Sequence, residues 1–150
     1  ADVVRVLVGN VDVDVVDTVG ATALYKGSIK GHVEVARVLL KHGASINRAM
    51  HDGTSPLHVV CKNGHTALVS LLVDNGADVN ARNAEGATPL YDTTDHDQNR
   101  LAIARILLAE GADPNVPNTR EGVAPLHLTC DDGDLTFARL LLDYGADPNA

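Results

Sequence analysis

Hydrophobic residues recur along this chain in short groups that fixed glycines separate. Between Gly64 and Gly76, three leucines fall at the i, i+3, i+4 spacing that places side chains on one face of a helix. A glycine just past the last helical turn readily adopts the left-handed conformation that ends a helix. The pattern therefore predicts a helix over about Thr66–Asn75, with Leu68, Leu71 and Leu72 on its buried face.

A second predicted helix precedes this one. Ser55 can cap the free backbone N–H groups of a first turn, and Pro56 suits that turn because the N–H it lacks would be unpaired there. The helix is expected to continue to about Asn63. After Gly76, an extended, hairpin-like loop is expected to reach Gly86.

The same glycines recur along most of the chain. Gly20, Gly53 and Gly86 are 33 residues apart, and intervals of 11 and 12 residues separate the glycines within three of the units. A fixed period in this range predicts stacked repeats, each of which packs on its neighbours. Function is then expected on the surface of the stack, and not in a pocket formed by distant residues.

The recurring residues resemble the ankyrin repeat. In the segment 50–82 they are Ser55-Pro56-Leu57-His58, Gly64-His65, Leu71-Leu72 and Gly76-Ala77-Asp78-Val79-Asn80-Ala81. The resemblance implies an all-α solenoid of antiparallel helix pairs with β-hairpin-like loops, in which His58, His127, His32 and His65 have structural roles. It divides the chain into the second half of a preceding repeat at 1–16 and repeats at 17–49, 50–82, 83–117 and 118–150, as a segment of a longer array.

Repeat 83–117 departs from this pattern, because Gly76 and Gly111 are 35 residues apart. Asp95-His96-Asp97 lies where the other repeats have Gly-His or Gly-Asp. Carboxylates and imidazole can bind a divalent ion, but three adjacent residues cannot easily surround one, so a solvated loop is expected. No nucleophile, phosphate-loop or zinc-protease motif is present, and we expect neither catalysis nor a cofactor.

The chain has a net charge of −8, all of it in the second half: residues 1–75 balance seven basic against seven acidic residues, and residues 76–150 hold five basic and thirteen acidic ones. This acidity argues against nucleic acid as a partner and favours a protein with a basic or dipolar surface. The alternative explanation of this acidity is that it only keeps the protein soluble. No apolar run approaches the roughly 18 residues of a membrane span, so no membrane insertion is expected.

The two cysteines, Cys61 and Cys130, occupy equivalent helix positions two repeats apart, too far for a disulfide. We expect two buried thiols in a reducing compartment, the cytoplasm or the nucleus.

Proteins of the ankyrin repeat family bind partners along a concave face that loop tips and first helices form. Here the ends of the first helices change from lysines to aspartates, so this face should change from mildly basic to strongly acidic. The residues are Lys26, Lys30 and Lys62, then Asp92, Asp95, Asp131 and Asp132. The resemblance thus implies a non-catalytic scaffold or adaptor module, or alternatively a targeting or regulatory segment of a larger enzyme, such as a ubiquitin-ligase subunit that recruits substrates. The candidate partner-binding residues are His51, Asp52, Lys62, Arg82, Glu85, Asp95, His96, Arg120, Glu121, Asp131 and Asp132.

Asn80 is a candidate for modification. Ankyrin repeats with a segment like Leu-Val-Asp-Asn-Gly-Ala-Asp-Val-Asn can be substrates of asparaginyl hydroxylation, and Asn80 ends this segment here. The main expected role of Asn80 is to brace its loop by hydrogen bonds.

Overall fold

The computed structural model describes residues 12–93 and 98–149, whose helices form four successive pairs without a strand. A short turn joins the helices of the first, second and fourth pairs, so that the two run antiparallel. Prediction and structure agree closely for the second pair, which was expected at about 55–63 and 66–75. The helices of the described residues are α1 (Ala23–Ile29), α2 (Val33–Lys41), α3 (Pro56–Lys62), α4 (Thr66–Asp74), α5 (Pro89–Asp92), α6 (Arg100–Ala109), α7 (Pro125–Asp131) and α8 (Leu135–Asp143).

Hydroxyl side chains start the first helices of three pairs. Thr22 Oγ1 accepts from the Tyr25 N–H at 3.1 Å, and Thr88 Oγ1 accepts from the Tyr91 N–H at 3.3 Å. Ser55 caps α3 in the same way, with proline at the first helical position, as predicted. These caps satisfy backbone donors that the helices leave unpaired.

The core extends from pair to pair and is largely aliphatic, with the aromatic side chain of Phe137 also fully buried. Leu68 and Leu72 are fully buried, as predicted, whereas Leu71 is only partly buried and Val69 is fully buried in its place. The buried stripe differs because α4 contacts a second helix on each side, α2 and α6. Apolar area removed from water between pairs is therefore the main stabilising term.

The two cysteines differ in burial, so one expectation is wrong. Cys61 on α3 is buried, and this burial raises the pKa of its thiol well above the ordinary value. Cys130 on α7 is exposed. The next pair, through α5, covers α3, whereas α7 belongs to the last pair of the chain described here.

A ladder of asparagine side chains joins the loops that follow the second helices. Asn80 Oδ1 accepts from the Asp113 N–H at 2.8 Å, and Asn80 Nδ2 donates to the Gly111 carbonyl at 3.0 Å. Asn47 and Asn115 make the equivalent two bonds to the loop after their own. The bracing role expected of Asn80 is confirmed, and the ladder fixes the register of successive pairs.

A second ladder joins the loop tips through the backbone alone. The His51 N–H donates to the Val19 carbonyl at 3.2 Å, and the Ala84 N–H donates to the Asp52 carbonyl at 2.7 Å. The Thr119 N–H continues the series to the Glu85 carbonyl at 2.7 Å. Each tip is therefore fixed to the tip before it.

The close approach of these tips requires glycine at position 53. Gly53 has φ +78°, and a Cβ there would lie 3.1 Å from Asn83 Cα and 3.4 Å from Ala84 N. Gly43 has a similar φ of +87°, but no atom lies within 4 Å of a Cβ at that position. Replacing Gly43 by alanine therefore measures the cost of the backbone conformation alone, and replacing Gly53 measures that cost together with the cost of crowding.

We expect Gly43→Ala to lower the free energy of unfolding by about 1 kcal/mol, which is the cost of a left-handed alanine. Gly53→Ala should cost about 2–4 kcal/mol, because backbone atoms of the next loop must also move. Urea unfolding followed by circular dichroism measures both values. Equal losses would show that the tips do not constrain position 53.

Candidate functional site

A groove of about 430 Å³ lies between three successive first helices and two loop tips. Tyr25 of α1, Lys62 of α3 and Asp92 of α5 line the groove from the helices. The loops and the floor contribute Asp52, Thr54, His58, Val59, Asn83, Ala84 and Glu85.

Both loops that border the groove are fixed by side chains that bond their own backbone. Asp52 Oδ1 accepts from the Thr54 N–H at 2.9 Å. Asn83 Oδ1 accepts from the N–H groups of Glu85 and Ala87, both at 3.0 Å. Asx turns of this kind hold a tight bend. The carboxylates of Asp52 and Glu85 therefore extend from positions that the fold defines.

His58 lies beneath the groove and links α3 to the next loop. Its Nδ1 accepts from the Ser55 N–H at 3.2 Å and lies 2.7 Å from Ser55 Oγ. Its Nε2 lies 3.1 Å from the Ala87 carbonyl, which only accepts, so Nε2 must carry the proton. Burial lowers the pKa of His58 below its ordinary 6.5, and the bond to Ala87 offsets part of this effect. The side chain is thus a neutral link between two pairs, and its expected structural role is confirmed.

Other histidines differ in their contacts. His65 Nε2 donates to the Ile29 carbonyl at 3.1 Å, which agrees with a structural role. His127 accepts from the Ala124 N–H at 3.2 Å, but within the described residues it contacts no further loop. The expected bond from His127 to a neighbouring loop is therefore absent there, because its helix pair is the last one described.

Tyr25 and Tyr91 occupy the position of His58 in their own pairs. The Tyr91 hydroxyl accepts from Asn118 Nδ2 at 2.8 Å, so Tyr91 also reaches the next loop. Tyr25 is 8% exposed and lines the groove. Burial raises the pKa of Tyr25, and the charges of Asp52 and Asp92 raise it further.

The structure gathers only some of the predicted partner-binding residues. Asp52, Lys62 and Glu85 line the groove, and Asp131 lines a separate cavity of about 370 Å³ beside α7 and α8. Asp95 and His96 lie outside the described residues. The exposed candidates that do not line the groove are His51, Arg82, Arg120, Glu121 and Asp132.

Two of these candidates contact parts of the protein itself. The Arg82 guanidinium donates to the carbonyls of Gly86 at 3.1 Å and Pro117 at 3.0 Å. Arg120 forms a long ion pair of 3.9 Å with Glu85, and both side chains are highly exposed. Such an exposed pair contributes little to stability, so both groups stay accessible to a partner.

The groove already carries an acidic excess at the middle of the array. Asp52, Glu85 and Asp92 line it together with the single ammonium group of Lys62. Farther toward the N-terminus, Lys26 pairs with Asp17 at 2.8 Å, and this contact lowers the pKa of Asp17 to about 2. The carboxylates of this groove thus come from the repeats 50–82 and 83–117, whereas Lys26 nearer the N-terminus is paired with Asp17.

Sequence reasoning missed Tyr25 as a groove residue and the ion pair between Arg100 and Asp134. The only signal for Tyr25 was tyrosine at the position that holds histidine in repeat 50–82. Arg100 Nη2 lies 2.6 Å from Asp134 Oδ2, and both side chains are largely buried. Asp134 Oδ1 also caps α8 by accepting from Thr136 and Phe137, so this pair joins α6 to the start of α8.

The described ranges also bear on metal binding and membrane insertion. No group of three or more potential ligand residues there could hold a metal ion. No helix within these ranges is both long enough and apolar enough to cross a membrane.

Comparison with known proteins agrees with this architecture. A family model described as "Ankyrin repeats (3 copies)" matches residues 46–118, and a model described as "Ankyrin repeat" matches residues 19–50 and 121–150. Together these segments cover most of the chain.

Curated relatives match over about a third of the chain. Human BCL-6 corepressor-like protein 1 is 40% identical over 47 residues, which are 31% of this chain and 3% of that protein. Human ankyrin repeat domain-containing protein 13B is 42% identical over 53 residues, which are 35% of this chain and 8% of that protein. Mouse protein phosphatase 1 regulatory subunit 27 is 33% identical over 53 residues, or 35% of this chain and 34% of that protein. The matched segment thus spans well under two thirds of each relative.

His58 should make stability depend on pH. Because its folded pKa lies below the unfolded value of about 6.5, the unfolded chain binds more protons near that pH. The stability that neutral His58 provides is complete above pH 6.5 and is lost as the pH falls through the folded pKa. His58→Asn should cost about 1–3 kcal/mol at pH 7.5 and should reduce the further loss on going to pH 5.

Urea unfolding at the two pH values measures this effect. The side chain of His32 is exposed and makes no cap bond to α2, so the structural role expected of it is not seen there. His32→Asn is therefore the matched control. It should keep the pH dependence of the wild type. An unchanged pH dependence in His58→Asn would contradict the neutral buried state of His58.

Proposed function

Because this chain belongs to the ankyrin repeat family, we propose that it is a non-catalytic scaffold or adaptor that binds a partner protein on its concave face. Ankyrin repeats are interaction modules. The concave face is defined here as the loop tips around residues 51–54, 83–87 and 119–123 together with the groove between α1, α3 and α5. The partner is expected to carry a basic or dipolar surface and to be met in the cytoplasm or the nucleus.

One observation carries this proposal: side chains of different chemistry extend from a backbone that is already fixed. The tips bond to one another through the N–H groups of His51, Ala84 and Thr119, so none of these donors needs a partner protein. The side chains of His51, Asp52, Glu85 and Arg120 are nevertheless exposed. A surface of this kind binds with little ordering of its own, which favours affinity.

A second candidate function is that of a targeting or regulatory segment of a larger enzyme, such as a ubiquitin-ligase subunit. The observation that favours it is a relative that is named as a regulatory subunit of a phosphatase. The relatives also carry the matched segment within longer chains. This candidate uses the same concave face and differs in what the rest of the protein does.

The test compares two triple variants in partner capture from cell lysate, followed by affinity measurement with the identified protein. His51→Ser/Arg120→Ser/Glu121→Gln changes the loop tips, and we expect at least tenfold weaker binding, because removing central contacts typically costs more than 1 kcal/mol. Glu34→Gln/Arg37→Ser/Lys41→Ser changes exposed positions on α2 and should bind like the wild type. If the α2 variant binds more weakly and the loop-tip variant binds like the wild type, the binding surface lies on the second helices and not on the concave face.

For Asn80 we propose asparaginyl hydroxylation as a modification. Asn80 is exposed, and both atoms of its amide group bond to the next loop, so its Cβ stays at a defined position. An oxygenase would have to open these two bonds to extend the segment into its active site. Hydroxylation would therefore depend on local opening of the asparagine ladder.

Intact-mass analysis of the chain expressed together with an asparaginyl hydroxylase tests this proposal. We expect the mass of one added oxygen, and we expect no addition in Asn80→Ala. An unmodified wild-type chain, or an oxygen that persists in the Asn80→Ala chain, would contradict the assignment to Asn80.

A further inference from the structure

We propose that the groove between α1, α3 and α5 is a pocket for one arginine side chain of an extended partner segment. The inference rests on the proposed binding function and names the chemistry that the concave face recognises. It follows from three features of the groove: its charge, the hydroxyl group of a largely buried tyrosine that has no protein partner among the described residues, and its open borders.

The charge of the groove fits a cation that has several donors. Asp52, Glu85 and Asp92 approach it from two loops and one helix, against the single ammonium group of Lys62. Thr54 uses one oxygen of Asp52, and the contact between Glu85 and Arg120 is long and exposed. A guanidinium group has five N–H donors in a planar fork, so it can bond to acceptors on different elements at once. A lysine ammonium is a compact charge and would reach fewer of them.

The hydroxyl group of Tyr25 is the second feature. Tyr25 is 8% exposed, it lines the groove, and its hydroxyl makes no hydrogen bond within residues 12–93 and 98–149. At the equivalent position, His58 bonds the Ala87 carbonyl and Tyr91 bonds Asn118. Among the described residues, the buried side-chain oxygens without a partner are those of Ser28 and Thr66, so the Tyr25 oxygen is accessible from the groove. An incoming N–H donor would give the Tyr25 oxygen the partner that the fold does not supply.

The borders of the groove favour a protein segment over a free small molecule. Its volume of about 430 Å³ lies near the lower end of the range of ligand pockets, which suits one side chain and a few waters. The exposed tip residues His51 and Arg120 lie beyond the lining. An extended segment could continue over these tips on both sides of the inserted arginine.

Peptides selected by phage display on the wild-type chain provide the probe. The best 12-residue peptide is then synthesised with its arginine, and again with citrulline, which keeps the shape but removes the charge. We expect selected peptides to share one arginine, and citrulline at that position to weaken binding at least tenfold. With the protein variant Asp52→Ser/Glu85→Gln, replacing the peptide's arginine by citrulline should weaken binding less than threefold. The two carboxylates that would attract the arginine charge are absent from this variant. Serine at position 52 keeps an oxygen for the Thr54 N–H.

Asp74→Ser/Glu110→Gln is the matched control, because both residues are exposed, lie outside the groove and change the net charge equally. It should keep the full effect of citrulline. Lys62→Gln removes the competing cation and should strengthen binding of the arginine peptide two- to threefold, a gain that damage to the fold would not produce. Thermal unfolding verifies that every variant is folded.

Three outcomes would overturn the inference. Peptides that bind without an arginine, or an effect of citrulline that is the same in wild type and Asp52→Ser/Glu85→Gln, would exclude an arginine pocket but leave peptide binding intact. If no peptide is selected, the extended segment is excluded. The proposed protein-binding function would still stand in these cases if the loop-tip variants lose the partner captured from lysate.

Discussion

The fold depends on one constraint: backbone polar groups of each helix pair are satisfied by groups of an adjacent pair. The Ala87 carbonyl receives its donor from His58, and the loop that holds Gly111 and Asp113 receives both of its bonds from Asn80. The bond between His58 and the Ala87 carbonyl is buried, so leaving that carbonyl unpaired would be costly. The two Asn80 bonds are exposed, but a slip between pairs would break them as well. The aliphatic core supplies most of the free energy, but many arrangements could bury leucine. The polar ladders select the one arrangement in which every loop finds its partners.

Much of this architecture could be predicted from the sequence because it is local. The segment Ser55-Pro56 and the glycines at 64 and 76 fix where helices begin and end, and the structure places α3 and α4 there. The buried stripe of α4 was predicted only in part, since Leu71 is only partly buried and Val69 is fully buried. Apolar residues at a spacing of three and four form one narrow stripe, which is sufficient for a helix that packs against one neighbour. Here α4 contacts a helix on either side, which widens the buried stripe.

The groove could not be predicted in the same way, because its walls come from three pairs. Asp52, Lys62 and Glu85 were candidates from their positions in each repeat, but nothing in the sequence joins them to Tyr25. What distinguishes Tyr25 from Tyr91 is the loop that each one meets: Tyr91 meets Asn118, whereas Tyr25 faces the open groove. The exposure of Cys130 has a similar origin, since burial depends on the pair that follows and not on the residue itself.

The asparagine ladder also bears on how such a chain can change over evolutionary time. Asn47, Asn80 and Asn115 each bond to a backbone carbonyl and a backbone N–H group, which any residue except proline supplies at that position. A unit that is duplicated or exchanged therefore finds the same partners in its new neighbours. The surface can then diversify residue by residue, while the joints between units stay interchangeable.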